Sequence, residues 1–135
     1  MSDNMATSMM RSILIVAFGG SIGAVTRFLF SSRIVQIAPL SQFPLATFTV
    51  NMLGCFVAGC LAGILDRWNI ASAEIRLLLF TGILGGFTTF SAFGLETLIL
   101  IRKGNLSTAL AYAALSGIIG VGSTAVGFYL SKSSS

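Results

Sequence analysis

Four long apolar segments, joined by short polar connections, take up most of this 135-residue chain. Hydrophobic residues make up 55% of the sequence and charged residues only 9%, whereas a soluble domain carries about 25% charged residues. As helices, the segments are long enough to cross the hydrocarbon core of a bilayer, which is about 30 Å thick. The sequence therefore predicts a single all-α membrane domain over residues 1–135, with four transmembrane helices at about 13–30, 43–65, 77–101 and 106–130.

Residues that most catalytic and nucleic-acid-binding sites need are missing from the sequence or scattered along it. There is no histidine, and no cluster of metal-ligating residues or glycine-rich phosphate loop can be found. The eight basic residues do not form a nucleic-acid patch. Cys55 and Cys60 fall on different faces of one helix, so we interpret them as packing residues. We therefore predict that the chain is not an enzyme and has no nucleic-acid partner, which leaves transport or membrane assembly.

The third apolar segment contains a stretch, residues 81–96, that an ordinary membrane helix does not need. Its Gly85–Gly86 pair weakens a helix by about 0.8–1 kcal/mol per glycine, and the β-branched pair Thr88–Thr89 follows closely. Backbone groups freed by a break inside a bilayer must find other partners. One solution is a cation bound by unwound carbonyls, as in the discontinuous helices of transporters. We therefore predict an interrupted third helix, which in a two-fold dimer could place its break on the axis.

Two phenylalanines and the only acidic residue within an apolar segment follow the expected break. Phe90 and Phe93 share one helix face. The negative faces of their rings would suit a cation and the positive edges an anion, although two phenylalanines at this spacing are usually packing residues. Ser91 lies between them. Glu96 is costly inside a bilayer, which makes it a functional candidate. The alternative is a buried acid that is hydrogen-bonded to a neighbouring helix.

Polar residues in the other segments are candidates for the same ion path. Thr47 and Asn51 share a face of the second helix, where Asn51 either bonds a neighbouring helix or points its amide into a polar path. Tyr112 and Ser116 share a face of the fourth helix and form either helix contacts or a wet track. Arg27 lies near the end of the first helix, a position that favours snorkelling to the headgroups over attraction of anions to a pore mouth.

The basic residues do not define one orientation in the membrane. With four spans, the N-terminus, the second connection and the C-terminus share one side, which carries Arg11, Arg67, Arg76 and Lys132. The other side also carries four basic residues, Arg27, Arg33, Arg102 and Lys103. An excess of Lys and Arg on one side normally fixes orientation, so a chain without it can insert either way up. We therefore predict an antiparallel homodimer of dual topology, because four helices alone can hardly enclose a pathway.

Three motifs follow one another along the chain, namely GGSIGAVTRF at 19–28, FPLATFTVNMLGCFVAG at 43–59 and GILGGFTTFSAFGLE at 82–96. The first resembles a GG-x-x-G-x-x-x-R pattern, the second P-x-G-T-x-x-V-N, and the third G-x-x-GG-x-[ST]-TFS-x-F-x-x-E. These are motifs of the Fluc (CrcB) family of fluoride-specific ion channels. Their order and spacing across nearly the whole chain make the resemblance specific.

The resemblance implies a dual-topology antiparallel homodimer with two fluoride pores and a central structural sodium ion. Backbone carbonyls of Gly85 and Thr88 would hold the sodium. The residues that match the family's fluoride pore are Asn51, Phe90, Phe93, Ser91, Tyr112, Ser116 and Thr47. Arg27 and Glu96 match accessory positions of the pore or its vestibule.

Three residues depart from the family pattern. Ala46 replaces the usual glycine before Thr47, Ala92 replaces a common hydroxyl residue, and Gly120 lies where a serine often continues the polar track of the fourth helix. The last two changes each remove a polar group. We therefore expect a track that is less polar or more dependent on water.

The sequence thus predicts a passive, multi-pass channel of the plasma (inner) membrane that lets fluoride leave the cytoplasm down its electrochemical gradient. Its expected partners are fluoride, sodium, membrane lipid and a second copy of the chain. One alternative is a small multidrug-type exporter that exchanges protons for organic cations at Glu96, which would leave the Gly–Gly pair, the phenylalanines and Asn51 unexplained. Another is an assembly protein that does not transport.

Overall fold

The fold consists of four long helical stretches in the computed structural model, which describes residues 2–69 and 72–133. In the described part of the chain, four helices are long and apolar enough to cross a membrane. In chain order, the elements are α1 (Ser2–Ile37), α2 (Leu45–Arg67), α3 (Ala73–Arg76), a π-helical segment (Leu77–Leu84), α4 (Gly85–Phe87), α5 (Phe90–Arg102) and α6 (Leu106–Ser133). The third stretch therefore contains α3, the π-helical segment, α4 and α5.

Helix α1 is much longer than the first predicted span. It has 36 residues, which at 1.5 Å per residue correspond to about 54 Å and so exceed the hydrocarbon core. No glycine or proline occurs between residues 2 and 18 to stop the helix before the apolar segment begins. At the other end the helix continues through residues 31–37, which the sequence had assigned to the connection. Pro39 disfavours a helical conformation of the residue before it, and α1 ends at Ile37.

The helices pack as two closely packed pairs. The first pair is formed by α2 and α6. Glycines on both helices lie against backbone of the other helix. A Cβ atom at Gly59 would collide with the Thr124 carbonyl, and one at Gly127 would lie 2.9 Å from the Cys60 amide nitrogen. Small residues of this kind let membrane helices approach closely, which compensates for the weak hydrophobic drive between helices in lipid.

We expect Gly59→Ala to destabilise the protein by about 1–3 kcal/mol, the usual cost of overpacking, because α2 and α6 must separate to admit the methyl group. The measurement is the unfolding transition of the purified protein in detergent. Gly122→Ala is the matched control, since a Cβ atom at Gly122 meets no atom within 4 Å. Equal stability of the two variants would show that the α2–α6 contact is not close-packed at Gly59.

The second pair is formed by α1 with the π-helical segment and α4. A Cβ atom at Gly86 would lie 3.1 Å from both the Ala24 amide nitrogen and the Gly20 Cα atom. A Cβ atom at Gly23 would similarly lie 2.8 Å from the Phe87 amide nitrogen. The backbone of α1 is thus pressed directly onto the residues that precede Thr88.

Two exposed ion pairs join chain ends and the second connection at one end of the bundle. Arg11 lies 3.4 Å from Glu74, and Lys132 lies 2.7 Å from Asp66. Exposed ion pairs contribute at most about 1 kcal/mol each to stability, so these two mainly show which elements lie next to each other. One pair joins the first third of α1 to α3, and the other joins the end of α2 to the end of α6.

Candidate functional site

Thr88 and Thr89 form an extended dipeptide between α4 and α5. Their backbone angles are φ −84° and ψ 160° at Thr88, and φ −151° and ψ 114° at Thr89. The Thr89 hydroxyl accepts a hydrogen bond of 3.3 Å from the Ala92 amide, which makes Thr89 the N-cap of α5. The extended dipeptide therefore follows from local chemistry, since a β-branched residue with a capping hydroxyl favours a new helix start over continuation.

Asn51 of α2 holds the extended dipeptide through two hydrogen bonds to one residue. Its Oδ1 atom accepts from the Thr89 amide at 2.9 Å, and its Nδ2 atom donates to the Thr89 carbonyl at 3.1 Å. The first of these bonds replaces the helical acceptor that the Thr89 amide lacks. The orientation of the side-chain amide is thereby fixed, and one Nδ2 proton remains for another acceptor.

Several backbone carbonyls beside the extended dipeptide have lost their helical donors. In a continuous helix the Gly85 carbonyl would accept from the Thr89 amide, which bonds Asn51 instead. The Thr88 carbonyl would accept from the Ala92 amide, which bonds the Thr89 hydroxyl instead. Gly86 differs, because its carbonyl accepts from Arg27 Nε at 3.0 Å. Gly85 is exposed on the surface of the protomer.

A cleft of about 470 Å³ opens beside Asn51 and is referred to below as the main cleft. Four of the predicted pore residues lie in its wall, namely Asn51, Phe90, Phe93 and Ser116. The sequence analysis did not predict the other residues of the wall, which are Met52, Cys55, Thr89, Ala113 and Gly117 together with Thr88, previously assigned only to the cation. Cys55 lies four residues after Asn51, so the shared helix face was a signal that could have identified it.

Aromatic rings form a connected row from the main cleft to the core. The rings of Phe90 and Phe93 have centroids 5.4 Å apart, and those of Phe93 and Tyr112 are 5.0 Å apart. Phe90 is 82% exposed, whereas Tyr112 is completely buried. Phe93 is half-buried between them. One end of this row is therefore open to the surroundings of the protomer, and the other is fixed within it.

Glu96 accepts hydrogen bonds from two other predicted pore residues. The Thr47 hydroxyl donates to Oε1 at 2.7 Å, and the Tyr112 hydroxyl donates to Oε2 at 2.8 Å. The three residues come from α2, α5 and α6, so the carboxylate joins three helices. Glu96 also lines a smaller cavity of about 200 Å³ under residues 38–46. We refer to Glu96, Thr47 and Tyr112 as the carboxylate network.

Two further candidates, Ser91 and Arg27, lie outside the wall of the main cleft. The Ser91 hydroxyl lies 3.3 Å from the Thr89 hydroxyl and is exposed. Arg27 lines a second cavity of about 280 Å³, together with Thr47, Thr89 and the substituted position Ala92. The main and second cavities share Thr89 in their walls, whereas Ser91 lines neither of them.

The buried fourth-helix position Gly120 contacts sulfur-containing side chains. A Cβ atom there would lie 3.4 Å from Met52 Cε and 3.6 Å from Cys55 Sγ. At this level the neighbours of α6 are therefore a thioether side chain and a thiol.

Comparison with known proteins gives the family of the chain. A profile of the family described as "CrcB-like protein, Camphor Resistance (CrcB)" matches residues 14–128. The chain belongs to this family. Every residue that lines the main cleft or forms the carboxylate network lies within the matched part of this CrcB-like chain.

Several curated relatives of the CrcB-like chain are named fluoride-specific ion channel FluC. The protein of Methylobacillus flagellatus is 47% identical over 123 residues, which are 91% of this chain and 96% of the relative. That of Azobacteroides pseudotrichonymphae is 41% identical over 124 residues, or 92% and 98% of the two chains. That of Novosphingobium aromaticivorans is 46% identical over 113 residues, or 83% and 89%. The similarity therefore covers nearly the full length of these proteins.

Proposed function

We propose that this CrcB-like protein is a passive, fluoride-selective channel of the plasma membrane that lets fluoride leave the cytoplasm down its gradient. The observation that carries the proposal is the main cleft, where the Asn51 amide meets Phe90, Phe93 and Ser116. Its relatives, named fluoride-specific ion channels, support the choice of ion.

The lining of the main cleft suits an anion that must bind and also leave. Fluoride needs donors to replace its water, and Asn51 has a free Nδ2 proton while Ser116 offers a hydroxyl. The edges of the Phe90 and Phe93 rings add partial positive charge. No lysine or arginine is among the residues that line the main cleft. Fluoride would therefore not be trapped by a full charge, which conduction requires.

A structural sodium ion fits the carbonyls beside the extended dipeptide. The Gly85 and Thr88 carbonyls have lost their helical donors, whereas those of Gly86 and Thr89 are bonded by Arg27 and Asn51. A hard cation prefers oxygen ligands of this kind, and in a bilayer an unpaired carbonyl costs several kcal/mol. We propose that Gly85 and Thr88 hold the sodium, which when bound supplies positive charge near the anion path.

A second copy of the chain would complete both the wall of the main cleft and the proposed sodium site. Gly85 and Phe90, which lie on either side of the half-buried extended dipeptide, are exposed at the surface of the chain. The even division of basic residues between the two sides supports insertion in both orientations. We therefore propose an antiparallel homodimer of dual topology, in which the two protomers meet at the extended dipeptides and each pore lies beside the axis.

The hydrogen bonds of the carboxylate network limit how Thr47 and Tyr112 could act as pore residues. Both hydroxyl groups already donate a hydrogen bond to Glu96. Fluoride that reaches this level must compete with the carboxylate for the same two donors. We propose that these residues form the inner end of the path and serve the anion when a hydroxyl turns away from Glu96.

The exporter alternative has less support. It requires Glu96 at the centre of a binding site for organic cations. Instead, both carboxylate oxygens are bonded within the chain, and Glu96 is not among the residues that line the main cleft.

The two cysteines allow a direct test of the main cleft as the fluoride path. In a Cys60→Ser variant, a small uncharged methanethiosulfonate reagent is expected to modify Cys55 and to suppress most fluoride efflux from liposomes. The reason is that Cys55 lines the main cleft, so the added group narrows it. A fluoride electrode follows the efflux before and after addition of the reagent.

The matched control is Cys55→Ser, which retains only Cys60. The Cys60 thiol lies against α6, 3.2 Å from a Cβ atom placed at Gly127. The same reagent is expected to leave fluoride efflux through this variant unchanged. Mass spectrometry reports the extent of labelling, and complete labelling of Cys55 without loss of efflux would exclude the main cleft as the path.

A further inference from the structure

The guanidinium of Arg27 reaches from α1 to the backbone just before the extended dipeptide. Its Nε atom donates to the Gly86 carbonyl at 3.0 Å, and Arg27 is half-buried. In a continuous helix this carbonyl would accept from the Phe90 amide, but Phe90 begins the next helix. Arg27 therefore satisfies a carbonyl that the local geometry has freed. The interaction also places a cation at the C-terminal end of α4, where the helix dipole is negative.

The packing of α1 fixes the position from which Arg27 acts. Gly20, Ala24 and Arg27 recur at helical spacing on one face of α1. A Cβ atom at Gly86 would lie 3.1 Å from both the Gly20 Cα atom and the Ala24 amide nitrogen. The backbones of α1 and α4 are thus in contact beside the hydrogen bond. This contact holds the Gly86 carbonyl within reach of the guanidinium and on the side of α1.

We infer that Arg27 is a positioning residue for the proposed sodium site, because it keeps the Gly86 carbonyl out of the cation's ligand set. The inference rests on the proposed function, which assigns the neighbouring Gly85 and Thr88 carbonyls to sodium. The number of oxygen ligands and the size of the cavity decide which cation a site prefers. A Gly86 carbonyl released from Arg27 could turn toward the cation, and an additional ligand favours an ion larger than sodium.

The test is the cation dependence of thermal stability, since a ligand that binds only the folded protein raises its melting temperature. The melting temperature of the purified dimer is measured against sodium, potassium and lithium chloride at constant ionic strength. For the unmodified chain we expect stabilisation by sodium at lower concentrations than by potassium. For Arg27→Met, which loses a hydrogen bond from a charged donor, we expect the ratio of apparent potassium and sodium affinities to change by about tenfold in favour of potassium.

Two variants serve as controls. Arg33→Met removes a second arginine of α1 that is exposed and far along the helix from Ala24, and it should retain the preference for sodium. Arg27→Lys keeps a charged donor for the Gly86 carbonyl, so it should also retain the preference. If Arg27→Met does not fold, Arg27→Ala, which also lacks the donor, is measured in its place, and an unchanged preference for sodium in that variant would overturn the inference.

An unchanged preference for sodium in folded Arg27→Met would overturn the role inferred for Arg27. The same holds if the melting temperature of the unmodified chain does not depend on the cation. Fluoride efflux measured on the same preparations keeps these results separate from the proposed function. Efflux from the unmodified chain without any cation preference would refute the role of Arg27 and leave the channel intact. Absence of efflux would refute the channel, whatever the melting temperatures show.

Discussion

Replacement of Asn51 by aspartate is expected to abolish fluoride efflux, with a loss of at least about a hundredfold, because like charges placed together cost several kcal/mol. Aspartate retains an oxygen that can accept from the Thr89 amide at the position of Oδ1. It loses the Nδ2 donor, however, and turns a carboxylate oxygen toward the Thr89 carbonyl. It also places a negative charge in the wall of the main cleft. The change therefore removes a donor for the anion and repels it at the same point.

The measurement is fluoride efflux from liposomes that contain equal amounts of each protein. Asn4→Asp is the matched control, since it makes the same chemical change at an exposed position in the first turn of α1. Size-exclusion chromatography tests whether Asn51→Asp still forms the proposed dimer, which we expect. Normal efflux through Asn51→Asp would remove Asn51 from the fluoride path.

Replacement of Phe93 by isoleucine is also expected to abolish fluoride efflux while the proposed dimer still assembles. Phe93 lies between Phe90 and Tyr112, with ring centroids 5.4 and 5.0 Å away. Isoleucine is apolar and compact, but it has no electropositive ring edge to offer an anion. The loss of the ring also removes a support of Tyr112, whose hydroxyl donates to Glu96. Both the lining of the main cleft and the carboxylate network are therefore disturbed.

Phe18→Ile is the control for the change from phenylalanine to isoleucine, because Phe18 is 65% exposed on α1. It should conduct as the unmodified chain does. Comparison of melting temperatures separates an effect on conduction from a loss of stability. If Phe93→Ile conducts normally, the aromatic row does not line the path.

The sequence predicted four long apolar helices, because hydropathy and segment length are properties of each segment alone. Helix α1 extends beyond the predicted span at both ends, since the thickness of a membrane sets only a minimum length for a helix that no glycine or proline stops. Arg27 was interpreted as a snorkelling residue from its position alone. The bond to Gly86 depends on the packing of α1 against α4, and no spacing within one helix reveals such a contact.

Asn51 and Glu96 show the same limit for the candidate site. Their polarity within apolar segments identified them as unusual. For Asn51, the two alternatives from the sequence, a bond to a neighbouring helix and an amide beside a polar path, each describe part of what the structure shows. It bonds a neighbouring helical stretch, and it also lines the main cleft. That Glu96 accepts hydrogen bonds from the hydroxyl groups of Thr47 and Tyr112 could not be inferred, because these residues come from three helices whose relative rotation the sequence leaves open.

The most direct test of the central claim is an electrical recording of fluoride and chloride efflux from liposomes that contain the purified protein. We predict a large, sustained fluoride current, with little chloride current under the same gradient and no requirement for a proton gradient. Absence of fluoride current together with proton-coupled uptake of an organic cation would contradict the channel and favour the exporter. Equal fluoride and chloride currents would contradict the proposed selectivity of the main cleft.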